Sequence, residues 1–258
     1  MRNFALIFAL NLLFIPNLFS QKAPDLITDR PDKTESALVV PEGALQIESG
    51  AEYFSDRSIE QFELSSLSLA ATLFRYGFLE KLELRLGGSY LSQERKSESI
   101  SSNVNGISDF MIGAKYEFVR DHHTAPDIGL MLHFFLPVGA EAFKPDKTEP
   151  QAILSVSKSL SEYLDIGTNL GVHYNSSAEE AFYFYTIAAG IGITEKFGSF
   201  VELYSEVLPN SSPQFLAGAG FTYLLQHNLQ FDIYVGNELF NNSKVWYFGA
   251  GISIRIPR

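Results

Sequence analysis

About a dozen stretches of roughly ten residues each, from Leu45 to the C-terminus, alternate apolar with small or polar side chains, the pattern of strands whose two faces meet different solvents. In the stretch Leu82 to Tyr90, Leu82, Leu84 and Leu86 fall on one face and Glu83, Arg85, Gly87 and Ser89 on the other. Polar groups on an inner face are costly in a dry core and cheap in a wet one. The pattern therefore predicts an all-β fold, a closed antiparallel transmembrane β-barrel of about 12 strands, with acyl chains outside and water inside.

The expected strands are 44–54, 64–76, 81–91, 106–118, 127–137, 151–160, 163–174, 182–193, 199–207, 214–224, 228–237 and 245–256. Residues 62–76 are ambiguous, because both faces hold apolar side chains. The connections supply an independent check. Gly77 to Glu80, Ser161-Glu162, Thr194 to Gly198 and Leu225 to His227 are short. Ser92 to Asn105, Val138 to Pro150 and Asn175 to Ala181 are longer and polar. Short turns alternating with long loops are what a barrel with two unlike ends requires. Val119 to Pro126 departs from this rhythm.

Outside the N-terminus there is no run of about 18 apolar residues, so any membrane crossing must use strands. Met1-Arg2-Asn3 followed by a mostly apolar Phe4 to Leu18 reads as a secretory signal, residues 1–20, cleaved after Ser20. Residues 21–43 have no strand pattern, hold Pro24, Pro31 and Pro41, and carry the cluster Asp29-Arg30-Pro31-Asp32-Lys33. They form an extended segment, periplasmic or folded into the lumen, ahead of a barrel spanning 44–258. Aromatic residues near strand ends, drawn from 22 Phe and 12 Tyr, suit interfacial girdles.

The net charge is −11, which argues against a nucleic-acid partner. With no cysteine, disulfides and thiolate metal sites are excluded, and stability falls to a closed hydrogen-bonded ladder. Glycine recurs on the expected inner faces, at Gly87, Gly113, Gly167, Gly171, Gly218, Gly220, Gly249 and Gly251 among others, as curvature and close approach in a narrow barrel require.

Several blocks resemble an outer-membrane family labelled "putative phenol-degradation MetA-pathway transporter". They are Thr28 to Ser36, Pro41 to Gly50, Arg75-Tyr76-Gly77, Glu83-Leu84-Arg85, Gly106 to Asp109 with Gly113 to Tyr116, Leu136 to Gly139, and Asn228 to Asp232. The resemblance implies a barrel that passes small, often apolar, molecules, and it leaves the substrate open.

A channel's selectivity lies in the charges lining it. By alternation the lumen-lining candidates are Glu48, Glu52, Glu83, Arg85, Asp109, Lys115, Glu117, Asp165, Asn169, His173, Glu202, Glu206, Asp232 and Arg255. Acids outnumber bases, so an open lumen would disfavour anions. The competing reading is that Arg85, Lys115 and Arg255 pair with acids across strands and fill the barrel. Asp29, Arg30 and Asp32 are candidates for a plug; a solvated lead-in is the alternative. His173, Asn175, Ser176 and Ser177 are too thin a constellation to name catalytic residues. His122-His123 reads as a solvated turn, so no metal or other cofactor is expected. The expected role is passive passage of small solutes, with outer-membrane lipid and the barrel-assembly machinery as partners. The alternatives are a non-transporting surface or structural barrel and a lipid-modifying enzyme.

Overall fold

The computed structural model describes residues 26–58, 62–97, 99–120, 124–209, 211–240 and 244–257, with the side chain of Asp109 outside this set. The signal assigned to residues 1–20, and His122-His123, lie outside the described residues. The strands are β1 (Leu45–Asp56), β2 (Glu63–Leu79), β3 (Leu82–Lys96), β4 (Ser101–Val119), β5 (Asp127–Phe135), β6 (Glu149–Ser161), β7 (Leu164–Asn175), β8 (Glu180–Gly192), β9 (Phe197–Val207), β10 (Gln214–Gln226), β11 (Leu229–Glu238) and β12 (Val245–Ile256). Each pairs antiparallel with its sequence neighbours, and β1 closes on β12 from Leu45↔Ile256 to Asp56↔Val245. Closure leaves no sheet edge, so every ladder group finds its partner without water or lipid.

The distribution of side chains is that of a soluble protein turned inside out. The largest fully buried side chains include Arg75, Lys115, Gln46, Glu48, Glu83 and Glu117. Leu84, Ile112, Leu132, Ile187, Val201, Phe221, Ile233 and Phe248 are exposed on the outer face. Among the described residues no helix is long and apolar enough to span a membrane. The outer apolar belt is the membrane-crossing surface, and aromatic rings gather at both of its rims. Tyr116 and Phe118 pack at 5.0 Å and Phe197 stacks on Phe221 at 5.4 Å near one rim; Trp246 stacks on Phe248 at 5.9 Å near the other. The ends of β1 and β12 share one rim with the short turns 80–81, 162–163 and 227–228. Short turns and termini mark the periplasmic side of such barrels.

Two irregularities decide which side chains face in. In β2 the register with β3 shifts between Leu69 and Thr72, and Ala70 takes φ 47°. Leu67 and Leu69 face out before this bulge, and Phe74, Tyr76 and Phe78 face out after it. The extra residue flips the parity, which is why both faces of 62–76 look apolar in sequence and why Arg75 turns inward. In β4 Ile107 faces out before a similar shift and Ile112 after it. The expected loop Ser92 to Asn105 is corrected: β3 runs to Lys96 and β4 starts at Ser101, with only residues 97–100 between them. These strand ends project past the apolar belt, where water on both sides removes the need for alternation. Likewise β2 runs to Leu79, so the turn expected at Gly77 to Glu80 shrinks to Glu80 and Lys81.

An ionic side chain placed on the belt should be costly. Ile233→Arg is expected to destabilise the barrel by about 2–4 kcal/mol in lipid vesicles, read by urea titration, whereas the same change at a strand end near the rim should cost about 1 kcal/mol or less.

Candidate functional site

Residues 26–43 lie inside the barrel. The segment turns in beside β2, where the Gly43 N–H donates to the Gly77 carbonyl at 2.8 Å and Glu42 bridges to Gly77. Bare backbone makes the approach feasible: a Cβ on Gly77 would sit 2.1 Å from the Pro41 carbonyl oxygen, and one on Gly129 2.4 Å from that of Ala37. From there the segment climbs and crosses the lumen at Lys33. It then returns to the level of Gln46, whose Nε2 donates to the Ile27 carbonyl at 2.8 Å.

Asp29 is the centre of the return arm. Arg85 Nη1 and Lys115 Nζ each reach its Oδ2 at 2.9 Å and Arg75 Nη1 reaches it at 3.2 Å. The Ser36 N–H donates to Asp29 Oδ1 at 2.9 Å, tying the two arms together. Arg75 also grips Glu48 at 2.8 Å and Glu83 at 2.9 Å, and Arg85 reaches Glu35 at 2.5 Å. Arg75 and Arg85 are direct cross-strand partners in the ladder. Two like charges so placed repel, and the carboxylates of Glu83 and Asp29, each in reach of both, resolve that conflict. Carboxylates also receive the segment's backbone: Asp29 N–H donates to Glu48, Val39 N–H to Glu117, Val40 N–H to Glu83 and Lys33 N–H to Glu202.

Burial opposes ionisation of Asp29, yet Arg75, Lys115 and Arg85 outweigh it and hold the carboxyl well below the usual carboxylate range. Asp32 behaves in the opposite sense: burial first, then the neighbouring Glu202, raises its carboxyl well above that range.

Near the apex Thr34 Oγ1 donates to Glu202, and Glu35 bonds Asn169 through its N–H at 2.6 Å and its carbonyl at 2.9 Å. Arg30 reaches Asp232 at 3.0 Å and lies over the Tyr234 ring. It lies across Gly50 and Gly251, where a Cβ would come within 2.4 Å of the guanidinium at either position. The inner-face glycines are thus slots for bulky lumen groups: Tyr247 lies on Gly236, Tyr234 on Gly249 and Phe184 on Gly171.

Of the residues named from sequence, Glu48, Glu83, Arg85, Lys115, Glu117, Asn169, Glu202 and Asp232 are buried in the lumen and contact the segment or its partners. Glu52 accepts from the Tyr234 hydroxyl, and Glu206 accepts from that of Tyr204. Arg255 is buried on β12 beside Gln46 in the ladder. Asp165 is exposed at the start of β7 and joins none of these contacts. Asp109 lies on β4, its side chain outside the described set. Asp29 and Arg30 make side-chain ion pairs, and Asp32 sits at the apex beside Glu202. Sequence reasoning missed Arg75, hidden by the bulge, and also Gln46, Glu35, His133, Glu149 and Tyr247.

Near the far rim, His173 Nε2 and Glu149 Oε2 are 3.0 Å apart, and the Ser176 hydroxyl donates to Glu149 Oε1 at 2.8 Å. Serine and histidine share a carboxylate instead of each other, so the histidine is not placed to take the serine's proton. A hollow of about 750 Å³ lies outside the lumen. Exposed Leu67, Val201, Ile233 and Phe248 rim it, and the small Ala51, Ala219 and Ala250 make the dip. Its apolar walls face acyl chains, away from any aqueous path.

A family model described as "Putative MetA-pathway of phenol degradation" matches residues 28–256. No curated protein sequence matches the chain. Among solved structures it is similar to an outer-membrane channel from Pseudomonas putida F1, with TM-score 0.65 and 10% identity over 85% of this chain and 98% of that one. It is also similar to the KdgM porin in complex with disordered oligogalacturonate, at TM-score 0.53 and 13% identity over 81% and 98%. A third likeness is to the transport unit of the autotransporter AIDA-I from Escherichia coli, at TM-score 0.52 and 9% identity over 97% and 96%. These likenesses are of fold.

Asp29→Ala should lower stability by about 3–5 kcal/mol in chemical denaturation, the usual cost of stranding buried charges. The pH response follows from the two acids. The stabilisation from Asp29, whose carboxyl is depressed, holds above the unfolded carboxylate value and is lost only as pH falls through the depressed one. That from Asp32, whose carboxyl is raised, is full below the unfolded carboxylate value and lost as pH rises through the raised one. Segment 26–43 is therefore expected to become progressively more protease-sensitive as pH rises above the unfolded carboxylate range, a trend that Asp32→Asn should abolish.

Proposed function

The chain belongs to the family described as "Putative MetA-pathway of phenol degradation", and from that premise we propose that it is a passive conduit for small solutes, closed at rest by its own residues 26–43. The observation that carries this reading is the occupied lumen. A wall of paired charges receives the segment through backbone and side-chain contacts from β1, β2, β3, β4, β7, β9 and β11. The partly solvated contacts among these, such as the Lys33–Glu52 pair, exchange for water at modest net cost when the segment shifts, whereas a core of apolar side chains would not let go so readily.

Once the segment moves, the acids that line the lumen outnumber the bases. Glu48, Glu83, Glu117 and Glu202 would lose the backbone N–H donors that now satisfy them. The opened path then favours cations and neutral molecules over anions. The oligogalacturonate bound by the KdgM porin is an anion, so selectivity differs between these barrels on this reading. Lipid around the apolar belt and the machinery that inserts such barrels are its partners, and no chemical step is assigned to it.

Reconstituted in a planar bilayer, the mature protein should show small, infrequent currents. Deleting residues 21–40 should raise conductance severalfold and reveal a preference for cations, in keeping with selectivity by lumen charge. Unchanged conductance would refute the plug; a preference for anions would refute the acidic path; no current from either protein would refute the conduit.

A further inference from the structure

We propose that Tyr247 and Glu52 form a slot for small alkylammonium ions and that Lys33 of the inserted segment occupies it as a tethered stand-in. Lys33 Nζ lies 5.6 Å from the centroid of the Tyr247 ring and 3.6 Å from Glu52 Oε2. A ring face beside a carboxylate is the pairing that holds an ammonium group through its charge and its weak hydration together.

The barrel builds this slot without help from Lys33. Glu52 is oriented by the Tyr234 hydroxyl, which donates to its Oε2 at 2.8 Å. The Tyr247 ring is pinned from behind: it lies against the bare backbone of Gly236 and packs with Leu216 and Val245. Phe54, Tyr204 and Tyr234 surround that cluster, so an ammonium in the slot would have apolar surface for a short alkyl body. The charge and the apolar surroundings together select a small organic cation over sodium or a sugar.

Lys33 is the cation of the segment best placed to be displaced. Arg30 makes two contacts with Asp232, at 3.0 and 3.4 Å, and its side chain is 17% exposed. Among the described residues Lys33 makes a single long ion pair, and its side chain is 44% exposed. Its backbone is held separately, by donation to Glu202 at 2.9 Å, so the ammonium can swing out while the segment stays seated. A solute that takes its place removes one of the ties at the apex. The proposal deepens the conduit reading by naming a solute class for its lumen, and its test needs no current.

The probe is n-butylammonium, which reproduces the lysine side chain, titrated calorimetrically into purified full-length barrel in detergent. Lys33→Gln, which removes the tethered competitor, should bind it about tenfold more tightly or better than wild type. Adding Glu52→Gln to Lys33→Gln should abolish binding, although the amide oxygen can still accept from Tyr234 and keep the wall intact. Neutral n-butanol should not bind either protein. Equal affinities of wild type and Lys33→Gln, no binding to Lys33→Gln, or binding that survives Glu52→Gln would each overturn the proposal. A barrel that binds butylammonium as expected yet carries no current would sink the conduit reading and leave the slot standing.

Discussion

Three cations from adjacent strands close on one carboxylate, that of Asp29, and the arrangement of the lumen depends on it. Arg75 on β2 and Arg85 on β3 face each other across the ladder, and Lys115 on β4 is the cross-strand partner of Glu83. Glu83 bridges the two guanidinium groups from the wall, and Asp29 adds a second carboxylate within reach of both. Lys115 finds Asp29 as its carboxylate contact, its other hydrogen bonds going to the carbonyls of Ser36 and Leu38 on the same segment. The wall is written to receive the segment, much as a buried charge in a soluble core is written to receive its partner.

The glycines fit the same picture. A narrow barrel lined by arginine, tyrosine and phenylalanine has too little radius unless those groups lie flat, and they lie flat only over residues without side chains. Arg30 rests across Gly50 and Gly251, one on each side of the β1–β12 seam that closes the barrel. The residue type that weakens a strand locally is what lets this lumen hold bulky polar groups. The strand is in turn supported by a ladder with no free edge.

Most of the wall was legible in the sequence, because lipid on one side and water on the other imposes a period of two. Legibility failed where that constraint lapses. Beyond the membrane both faces of β3 and β4 meet water, so residues 92–96 and 101–105 read as loop. At Ala70 an extra residue reverses the parity, and Arg75 was lost with it, although Arg75-Tyr76-Gly77 already stood out among the family-like blocks. The charged cluster at 29–33 was visible; its partners were not. Asp29 meets barrel residues 19 to 86 positions away, and Arg30 meets Asp232 202 positions away. No local periodicity encodes pairings of that span.

A closure of this kind has to be firm at one place and loose at another. At its base Asp29 and its three cations are buried from water, so separating them exposes charges that have no ready substitute. At the apex the Lys33–Glu52 pair is long, partly solvated and easily traded for water or for an incoming ion, because the free energy lost with it is close to that regained. On the proposed conduit reading, release would begin at Lys33 and reach the Asp29 cluster last. A segment anchored by apolar packing would lack that gradient, since burying hydrocarbon stabilises in proportion to area wherever the contact lies. On that reading the polar lumen would serve both halves of the proposed behaviour: it would tolerate water with the segment out, and it grades the grip while the segment stays.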